Sequence, residues 1–86
     1  MQIVFHRDFL KRYKKFPQQE KQQIEKKLHM FMKNPFHESL NNHRLKGVLG
    51  RYRSINISGD VRAIYEQIDE DTAFFITLGT HSELYK

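Results

Sequence analysis

The chain contains no cysteine and only two prolines and four glycines among its 86 residues. Without cysteine, neither a disulfide framework nor a thiolate metal site can stabilise the protein, so a hydrophobic core has to do so. No segment rich in proline, glycine or serine divides the chain, and we expect one domain over residues 1–86. No apolar run approaches the roughly 20 residues that cross a membrane, and the N-terminal segment lacks a secretory pattern. We therefore expect a cytoplasmic protein without a membrane partner.

Basic residues outnumber acidic ones. The chain has 15 Lys and Arg against 10 Asp and Glu, a formal charge of +5 and a pI near 9.6. This balance suits RNA, DNA, an acidic protein segment or a membrane surface, and charge alone does not separate these partners. Hydrophobic residues make up 38% of the chain and include seven Phe and four Tyr. This is enough apolar surface for a packed core, so we do not expect disorder.

Apolar periodicity in the first 35 residues predicts one strand and two helices. Residues 2–5 are typical of a short strand, and two sets of apolar residues then recur at helical spacing. The first set is Phe9, Leu10, Tyr13 and Phe16, and the second is Ile24, Leu28, Phe31 and Met32. Pro17 suits the first turn of the second helix, which we expect Asn34 and Pro35 to end.

The second half of the chain predicts three strands. Residues 34–50 are polar and rich in turn formers, which indicates a loop carrying His43, Arg44 and Lys46. Residues 51–57, 60–68 and 72–78 predict an antiparallel meander with turns at 58–59 and 69–71. Together the elements predict an α+β fold of β-α-α-β-β-β order. In this fold an antiparallel sheet carries both N-terminal helices on one face, and the other face is a concave working surface.

The first predicted turn, Ser58-Gly59, also sets the register of its hairpin. A two-residue turn there places Arg53 and Arg62 on one face of the sheet. Asn56 then lies on the opposite face, unless a bulge intervenes.

Four stretches of the chain carry a family pattern in chain order. They are Phe9-x3-Tyr13-x2-Phe16-Pro17, His43-x-Leu45-x-Gly47, the hairpin residues 52–55 with 59–65, and the segment Gly79-Thr80-His81-Ser82-Glu83-Leu84-Tyr85. Together they cover nearly the whole chain and resemble the RelE/YafQ mRNA interferase toxins of type II toxin–antitoxin systems. The Gly-Thr-His-x-x-Leu-aromatic ending resembles the YafQ-like branch, so the resemblance also implies the RelE-like fold.

The resemblance implies an endoribonuclease that enters the ribosomal A site and cuts the bound mRNA. It also implies a cognate antitoxin that wraps and blocks the toxin, and contact with operator DNA only through that antitoxin. By position, the functional residues of YafQ-like members correspond to His43, Asn56, Asp60, His81 and Tyr85. Asn56 departs from the pattern, because it stands where those members have a histidine and an amide cannot exchange a proton.

The residue types fit RNA cleavage, since RNA carries its own nucleophile. A 2′-hydroxyl can attack the neighbouring phosphate, which needs a base for the hydroxyl proton, an acid for the leaving 5′-oxygen and cations for the added charge. Histidine titrates near pH 6.5, so His43 and His81 are the candidate acid–base pair. We favour His81 as the acid. The base is either His43, which we favour, or Asp60, which could instead orient or charge-stabilise a histidine.

The candidate substrate-binding residues are cationic or aromatic. Arg53 and Arg62, supplemented by Lys46, could hold the phosphate, because guanidinium groups bind phosphate oxygens in a bidentate fork. Both arginines could equally be solvated strand residues or partners of Glu66. Tyr85 could stack on an unpaired base or fill the edge of the core. Asn56 completes the substrate-binding set through the resemblance.

We expect no metal or other cofactor. The three remaining histidines are His6, His29 and His37, and their spacing fits no metal-binding motif. The chain also has no His-Glu-x-x-His motif and no carboxylate cluster suited to a metal.

Two other functions compete with the nuclease prediction. One is a ParE-like toxin that inhibits gyrase and needs no acid–base residues, against which His43, Asp60 and His81 argue together. The other is a catalytically decayed member that only binds its antitoxin, which Asn56 leaves open. For the nuclease, the expected partners are the ribosome with mRNA and an antitoxin acidic or amphipathic enough to cover the basic surface. Codon preference, ribosome dependence and the identity of the antitoxin stay open.

Overall fold

The structure is a computed structural model that describes residues 1–84. Within these residues the strands are β1 (Gln2–Phe5), β2 (His43–Arg44), β3 (Tyr52–Ser58), β4 (Val61–Asp69) and β5 (Thr72–Thr80). The helices are α1 (Arg7–Lys14), α2 (Gln18–Lys33) and α3 (His81–Leu84). Two short 3₁₀ helices, Glu38–Leu40 and Gly47–Leu49, flank β2. None of the helices in the described part of the chain has the length and apolar character needed to span a membrane.

The two N-terminal helices form as predicted and pack on one face of the sheet. Pro17 directly precedes α2, and Asn34 directly follows its last residue. Most of each apolar stripe faces the sheet, since Phe9, Ile24, Leu28 and Phe31 are buried. Leu10 and Met32, which the helical spacing also assigned to the stripes, are exposed. The predicted limits of α2 and the placement of both helices are therefore confirmed.

The five strands form one mixed sheet in the order β1-β5-β4-β3-β2. The meander β3-β4-β5 is antiparallel as predicted, and β2 adds an antiparallel edge of two residues. At the other edge β1 pairs with β5 in parallel, which corrects the prediction of a wholly antiparallel sheet. Parallel neighbours need a long connection, and almost the whole chain lies between β1 and β5. The two-residue β2 is too short to produce a periodic signal in the sequence.

Aromatic side chains fill the space between the helices and the sheet. Phe31 of α2 meets Tyr65 of β4 and Phe75 of β5 edge-on, with ring centroids 4.9 and 5.1 Å apart. All three side chains are fully buried. Because side chains alternate along a strand, their neighbours on β4 and β5 point to the opposite, open face. That face is where polar side chains can meet a ligand.

The β3–β4 hairpin turns one residue later than predicted. β3 continues through Ser58, and the turn consists of Gly59 and Asp60. Gly59 has a φ of +47°, a backbone conformation that glycine adopts without steric cost. Asp60 is therefore a turn residue and not the first residue of β4.

A bulge in β3 then sets the register of the hairpin. The pairing shifts between Asn56 and Ser58, so that Asn56 lies opposite Arg62 and Arg53 lies opposite the buried Tyr65. A shift of one residue moves a side chain to the other face of the sheet. Arg53 consequently lies on the helix-covered face and Arg62 on the open face, so the prediction that they share a face is wrong. Asn56 shares the open face with Arg62.

Candidate active site

A cleft of about 390 Å³ lies on the open face, where β2, β3 and β4 approach the end of β5. Its lining contains two histidines and three cationic side chains. The lining residues are Asn41, His43, Arg44, Leu45, Lys46, Ser54, Arg62 and His81. The fold thus brings together four residues that the sequence marked as functional from three separate segments: His43, Lys46, Arg62 and His81.

His43 is the first residue of β2, and strand pairing holds it in the cleft. It lies opposite Ser54 of β3. Its Nδ1 is 2.8 Å from the carbonyl oxygen of Asn41. A carbonyl can only accept a hydrogen bond, so in the neutral ring Nδ1 carries the hydrogen and Nε2 keeps the lone pair. Nε2 of His43 is therefore the ring atom able to take up a proton.

A polar network on the other face anchors the segment that carries His43. The side-chain amide of Asn42 donates hydrogen bonds to the Tyr65 hydroxyl at 2.7 Å and to the Pro35 carbonyl at 2.9 Å. Nε of Arg53 donates to Oδ1 of Asn42 at 2.8 Å, and its guanidinium lies 5.2 Å from the centre of the Phe36 ring. The structure thus places Arg53 outside the cleft lining, where it supports the loop before His43.

His81 follows directly on the last residue of β5. Its main-chain N–H donates a hydrogen bond to the carbonyl oxygen of Asp60 at 3.0 Å. This bond extends the β4–β5 ladder, in which Val61 is paired with Thr80. The side chain of His81 is exposed at the mouth of the cleft.

Thr80 and Glu83 cap the short helix that begins with His81. The Thr80 hydroxyl accepts a hydrogen bond from the main-chain N–H of Glu83 at 3.3 Å. The carboxylate of Glu83 accepts one from the main-chain N–H of Thr80 at 2.8 Å. This reciprocal pair is a capping box, which fixes the direction in which a chain enters a helix. It therefore orients the backbone of His81, which lies between the two capping residues.

Cationic side chains make the cleft a site for anions. Arg44, Lys46 and Arg62 line it, and its lining within residues 1–84 includes no Asp or Glu. Nη1 of Arg62 donates hydrogen bonds to the carbonyl oxygens of Gly59 at 2.9 Å and Val61 at 3.2 Å, which hold the guanidinium beside the hairpin turn. A guanidinium has five N–H donors, so further donors of Arg62 can bind an anion.

Two side-chain oxygen atoms of β3 are buried on this face without a hydrogen-bond partner among the described residues. They are Ser54, through its hydroxyl oxygen, and Asn56, through Oδ1. Buried polar groups in folded proteins are nearly always paired, and exceptions concentrate where a protein binds or transforms a ligand. Both residues point to the face that carries the cleft. Ser54 lines the cleft, whereas Asn56 is outside its lining and lies opposite Arg62, which does line it.

Of the two remaining predicted residues, Asp60 lies beside the cleft and Tyr85 lies outside the described residues. Asp60 is exposed in the hairpin turn, and its main chain contacts His81 although Asp60 does not line the cleft. Tyr85 lies outside the described residues 1–84.

A larger cleft, of about 610 Å³, lies between α1, the start of α2 and the end of β5. Acidic and basic side chains alternate around it, namely Asp8, Glu20 and Glu83 with Lys11, Arg12 and Lys15. No histidine is among its described lining residues. Of the two clefts, only the smaller combines histidines with a lining whose charged residues are all basic. The smaller cleft is therefore the candidate active site.

A family model described as a bacterial toxin of type II toxin–antitoxin systems, YafQ, matches residues 1–86. The chain belongs to the YafQ toxin family. The match covers all four stretches of sequence on which the resemblance rested.

Solved structures place this YafQ-family toxin in the RelE/YafQ fold. YafQ from E. coli strain BL21(DE3) is 19% identical, with a TM-score of 0.81 over 98% of this chain and 97% of that one. The isolated E. coli RelE toxin is 30% identical, with a TM-score of 0.72 over 98% and 89% of the two chains. A chain of the intact E. coli RelBE toxin–antitoxin complex is 26% identical, with a TM-score of 0.70 over 92% and 94%. Among curated proteins the sequence has no match.

Sequence reasoning missed three groups of residues in this toxin. Arg44 was noted in the loop without a role, although it lines the cleft. Ser54 gave no signal, because a serine between Arg53 and Ile55 looks like any solvated strand position. Thr80 and Glu83 do carry the Thr-x-x-Glu signature of a capping box, which could have been read from the sequence.

Proposed function

We propose that this toxin is a metal-independent endoribonuclease that cleaves mRNA, and that it acts at the ribosomal A site. The observation that carries the proposal is the meeting of His43 and His81 in one cleft lined with cations. RNA cleavage through its own 2′-hydroxyl needs these two kinds of group and no others. Membership of a family of type II toxins supports the same reading.

His43 acts as the base and His81 as the acid. Nε2 of His43 accepts the proton of the 2′-hydroxyl, whose oxygen attacks the adjacent phosphorus. His81 donates a proton to the leaving 5′-oxygen as the phosphorus–oxygen bond breaks. The products are a 2′,3′-cyclic phosphate and a 5′-hydroxyl. The hydrogen bond from Nδ1 of His43 to the Asn41 carbonyl favours this assignment over Asp60 as base, because it leaves Nε2 ready to accept a proton.

The cations of the cleft hold the scissile phosphate. Arg62 binds its oxygens through the guanidinium donors that the turn carbonyls leave available, and Lys46 and Arg44 add charge at the rim. These charges stabilise the transition state more than the substrate, since negative charge accumulates on the phosphate during attack. The amide oxygen of Asn56, which has no hydrogen-bond partner within residues 1–84, accepts a hydrogen bond from a ribose hydroxyl. Arg53 contributes indirectly, by anchoring the loop that carries His43.

Asp60 and Tyr85 complete the proposed site. Asp60 lies in the turn that binds the main chain of His81, so its carboxylate stabilises the protonated His81 ring through its charge. Tyr85 stacks on an unpaired base, a role that rests on the family resemblance alone.

The proposed partners are the ribosome with its mRNA, in the cytoplasm, and an acidic antitoxin. The E. coli RelBE structure is a toxin–antitoxin complex, and one of its chains is 26% identical to this toxin. With a formal charge of +5, this toxin suits an antitoxin segment rich in Asp and Glu. Contact with operator DNA is proposed only through that antitoxin.

Primer-extension mapping of mRNA in a translating extract tests the proposal. We expect wild-type protein to cut at defined codon positions. The His81→Ala variant should cut about a hundredfold to ten-thousandfold more slowly, because it lacks the proposed acid. His29→Ala is the matched control, since it removes an exposed histidine of α2 outside the cleft. It should cut like wild type.

Two results would count against the nuclease. Intact mRNA with wild-type protein, together with inhibition of gyrase supercoiling that survives His81→Ala, would support the ParE-like alternative. Intact mRNA without gyrase inhibition would support a decayed member that only binds its antitoxin.

A further inference from the structure

Ser54 is the one polar residue among the fully buried residues of the described chain. It lies on β3, opposite His43 of β2 and Ile64 of β4, and it lines the candidate active site. Its hydroxyl oxygen exposes less than 1 Å² and has no hydrogen-bond partner within residues 1–84. The Ser54 hydroxyl, which can both donate and accept a hydrogen bond, is therefore held at the floor of the cleft without a hydrogen-bond partner in the described protein.

This arrangement costs stability, so it calls for a functional explanation. A hydroxyl withdrawn from water without a hydrogen bond destabilises a fold, whereas alanine at the same place would avoid the penalty. Ile64 of β4, which pairs with Ser54 on the same face of the sheet, is buried and apolar, as buried strand residues normally are. Ser54 departs from this rule at the position directly opposite the proposed base, His43.

We propose that the Ser54 hydroxyl binds the substrate, donating a hydrogen bond to a non-bridging phosphate oxygen of the RNA strand. This inference rests on the proposed function, and it adds a substrate-binding residue that neither the sequence pattern nor the family resemblance indicates. The single χ1 torsion of serine gives the hydroxyl three staggered positions, so it turns toward the cleft without a backbone movement.

The charges around Ser54 favour phosphate as the acceptor. Arg44, Lys46 and Arg62 share the lining with Ser54, and all three attract an anion. None of them can accept a hydrogen bond, since Lys and Arg are donors only. An anionic ligand supplies the missing acceptor, and a hydrogen bond to a charged oxygen is stronger than one to a neutral group. One phosphate therefore satisfies the buried hydroxyl and the surrounding cations together.

The test compares Ser54→Ala with wild type in binding and in stability. The probe is a short single-stranded oligonucleotide with fluorine in place of every 2′-hydroxyl, which keeps the phosphates and removes the nucleophile. Its affinity is measured by fluorescence anisotropy, and stability by thermal melting. Ser58→Ala is the matched control, because it removes a hydroxyl from the same strand outside the cleft lining.

We expect Ser54→Ala to bind the probe about tenfold more weakly, because the variant loses one charge-assisted hydrogen bond to the phosphate. Its melting temperature should equal or exceed that of wild type, because an unpaired buried polar group has gone. Ser58→Ala should bind like wild type. Equal affinities for Ser54→Ala and wild type would overturn the inference, as would a wild type that does not bind the probe. A lower melting temperature with unchanged affinity would also overturn it, since the hydroxyl would then be structural.

The result of the Ser54 test can be distinguished from the result of the test for nuclease activity. If wild type binds the probe through Ser54 but leaves mRNA intact in the extract, the cleavage proposal fails and the Ser54 contact stands. If wild type cuts mRNA and Ser54→Ala binds and cuts equally well, the nuclease stands and the inference about Ser54 fails.

Discussion

The main-chain N–H of His81 donates a hydrogen bond to the carbonyl oxygen of Asp60, with the two atoms 3.0 Å apart. Asp60 belongs to the β3–β4 turn, and His81 follows β5. The bond therefore joins the two segments that flank the mouth of the cleft. Because it uses main-chain atoms of both residues, it does not depend on the Asp60 carboxylate, and the structural and chemical roles of Asp60 can be separated by mutation.

We expect Asp60→Asn to leave the fold unchanged and to slow mRNA cleavage. The amide keeps the size of the side chain and the main-chain bond to His81, so stability should stay within about 0.5 kcal/mol of wild type. Cleavage should fall about tenfold, because the amide removes the negative charge that is proposed to act in the reaction. Urea denaturation and primer extension measure the two effects. An unchanged cleavage rate would show that the carboxylate has no part in the reaction.

We expect Thr80→Ala to slow cleavage through its effect on His81. Loss of a helix-capping side chain costs about 1 kcal/mol, and here it removes half of the capping box around His81. The helix start should fray and the His81 ring should lose its fixed orientation. Ser82→Ala is the control, since it removes a hydroxyl from the same helix. It gives up only the long 3.5 Å contact between the Ser82 and Thr80 hydroxyls and keeps both hydrogen bonds of the capping box. Similar cleavage by the two variants would argue against a positioning role for the cap.

We expect Asn42→Ala to be destabilised and to cut poorly, although Asn42 lies outside the cleft lining. The substitution leaves the fully buried Tyr65 hydroxyl without the partner that Asn42 supplies, and it removes the acceptor of Arg53. An unsatisfied buried group costs about 1–3 kcal/mol. Cleavage should fall as well, because the segment before His43 loses its anchor.

A double-mutant cycle with Arg53→Ala checks this network. The two residues are in direct contact, so their effects on the free energy of unfolding should differ from additivity by about 0.5–3 kcal/mol. Strict additivity would mean that the hydrogen bond between Arg53 and Asn42 carries no stabilising energy.

We expect Asn56→His to accelerate cleavage. Asn56 lies opposite Arg62 on the open face, and the resemblance to YafQ-like toxins predicts a histidine at this place. A histidine there adds a group able to transfer a proton, and we expect a gain of about tenfold, less than a fully aligned acid or base provides. The double variant with His81→Ala should remain slow, because the proposed acid would still be missing. Histidine can also accept the hydrogen bond proposed for the amide oxygen of Asn56. A slower single variant would show that histidine does not replace the amide in this contact and would contradict the prediction.

The carboxylate of Asp8 links α1 to β5 and makes stability depend on pH. Its Oδ2 accepts a hydrogen bond from the Thr77 hydroxyl at 2.7 Å and lies 3.2 Å from Nε of Arg12. The Thr77 hydrogen bond lowers the pKa of Asp8 below the ordinary value of 3.8, and Arg12 adds to this effect. A carboxyl whose pKa is lower in the folded protein stabilises the fold above its unfolded pKa. That contribution disappears as the pH falls through the folded pKa.

We therefore expect Asp8→Asn to be less stable than wild type above about pH 5, with the difference shrinking below about pH 4. The side chain of Asp8 is 43% exposed, so solvent screening should keep the difference below about 1 kcal/mol. Urea denaturation of both proteins at neutral pH and at about pH 3 checks the prediction. A difference of the same size at both values would mean that the charge of Asp8 is not its source.

The helices and the core were predictable because their signals are local. The apolar spacing from Phe9 to Phe31 identifies the buried faces of α1 and α2, and Pro17 and Asn34 mark the limits of α2. The alternating strands of the meander are equally local, since a hairpin joins neighbours in the sequence. The order of the six predicted elements, β1, α1, α2, β3, β4 and β5, therefore followed from the sequence alone. The same holds for the residues suited to acid–base chemistry, His43 and His81.

Only the tertiary structure decided how those residues meet. The two-residue β2 is too short to show periodicity, and it forms because it pairs with the edge of β3. This pairing places His43 opposite Ser54. The bulge between Asn56 and Ser58 reverses the faces expected for Arg53 and Arg62, because a shift of one residue turns every side chain over. Residue types and their spacing determine which elements form. Pairing between distant segments decides which side chains share a cleft, since it depends on energies spread over the whole sheet.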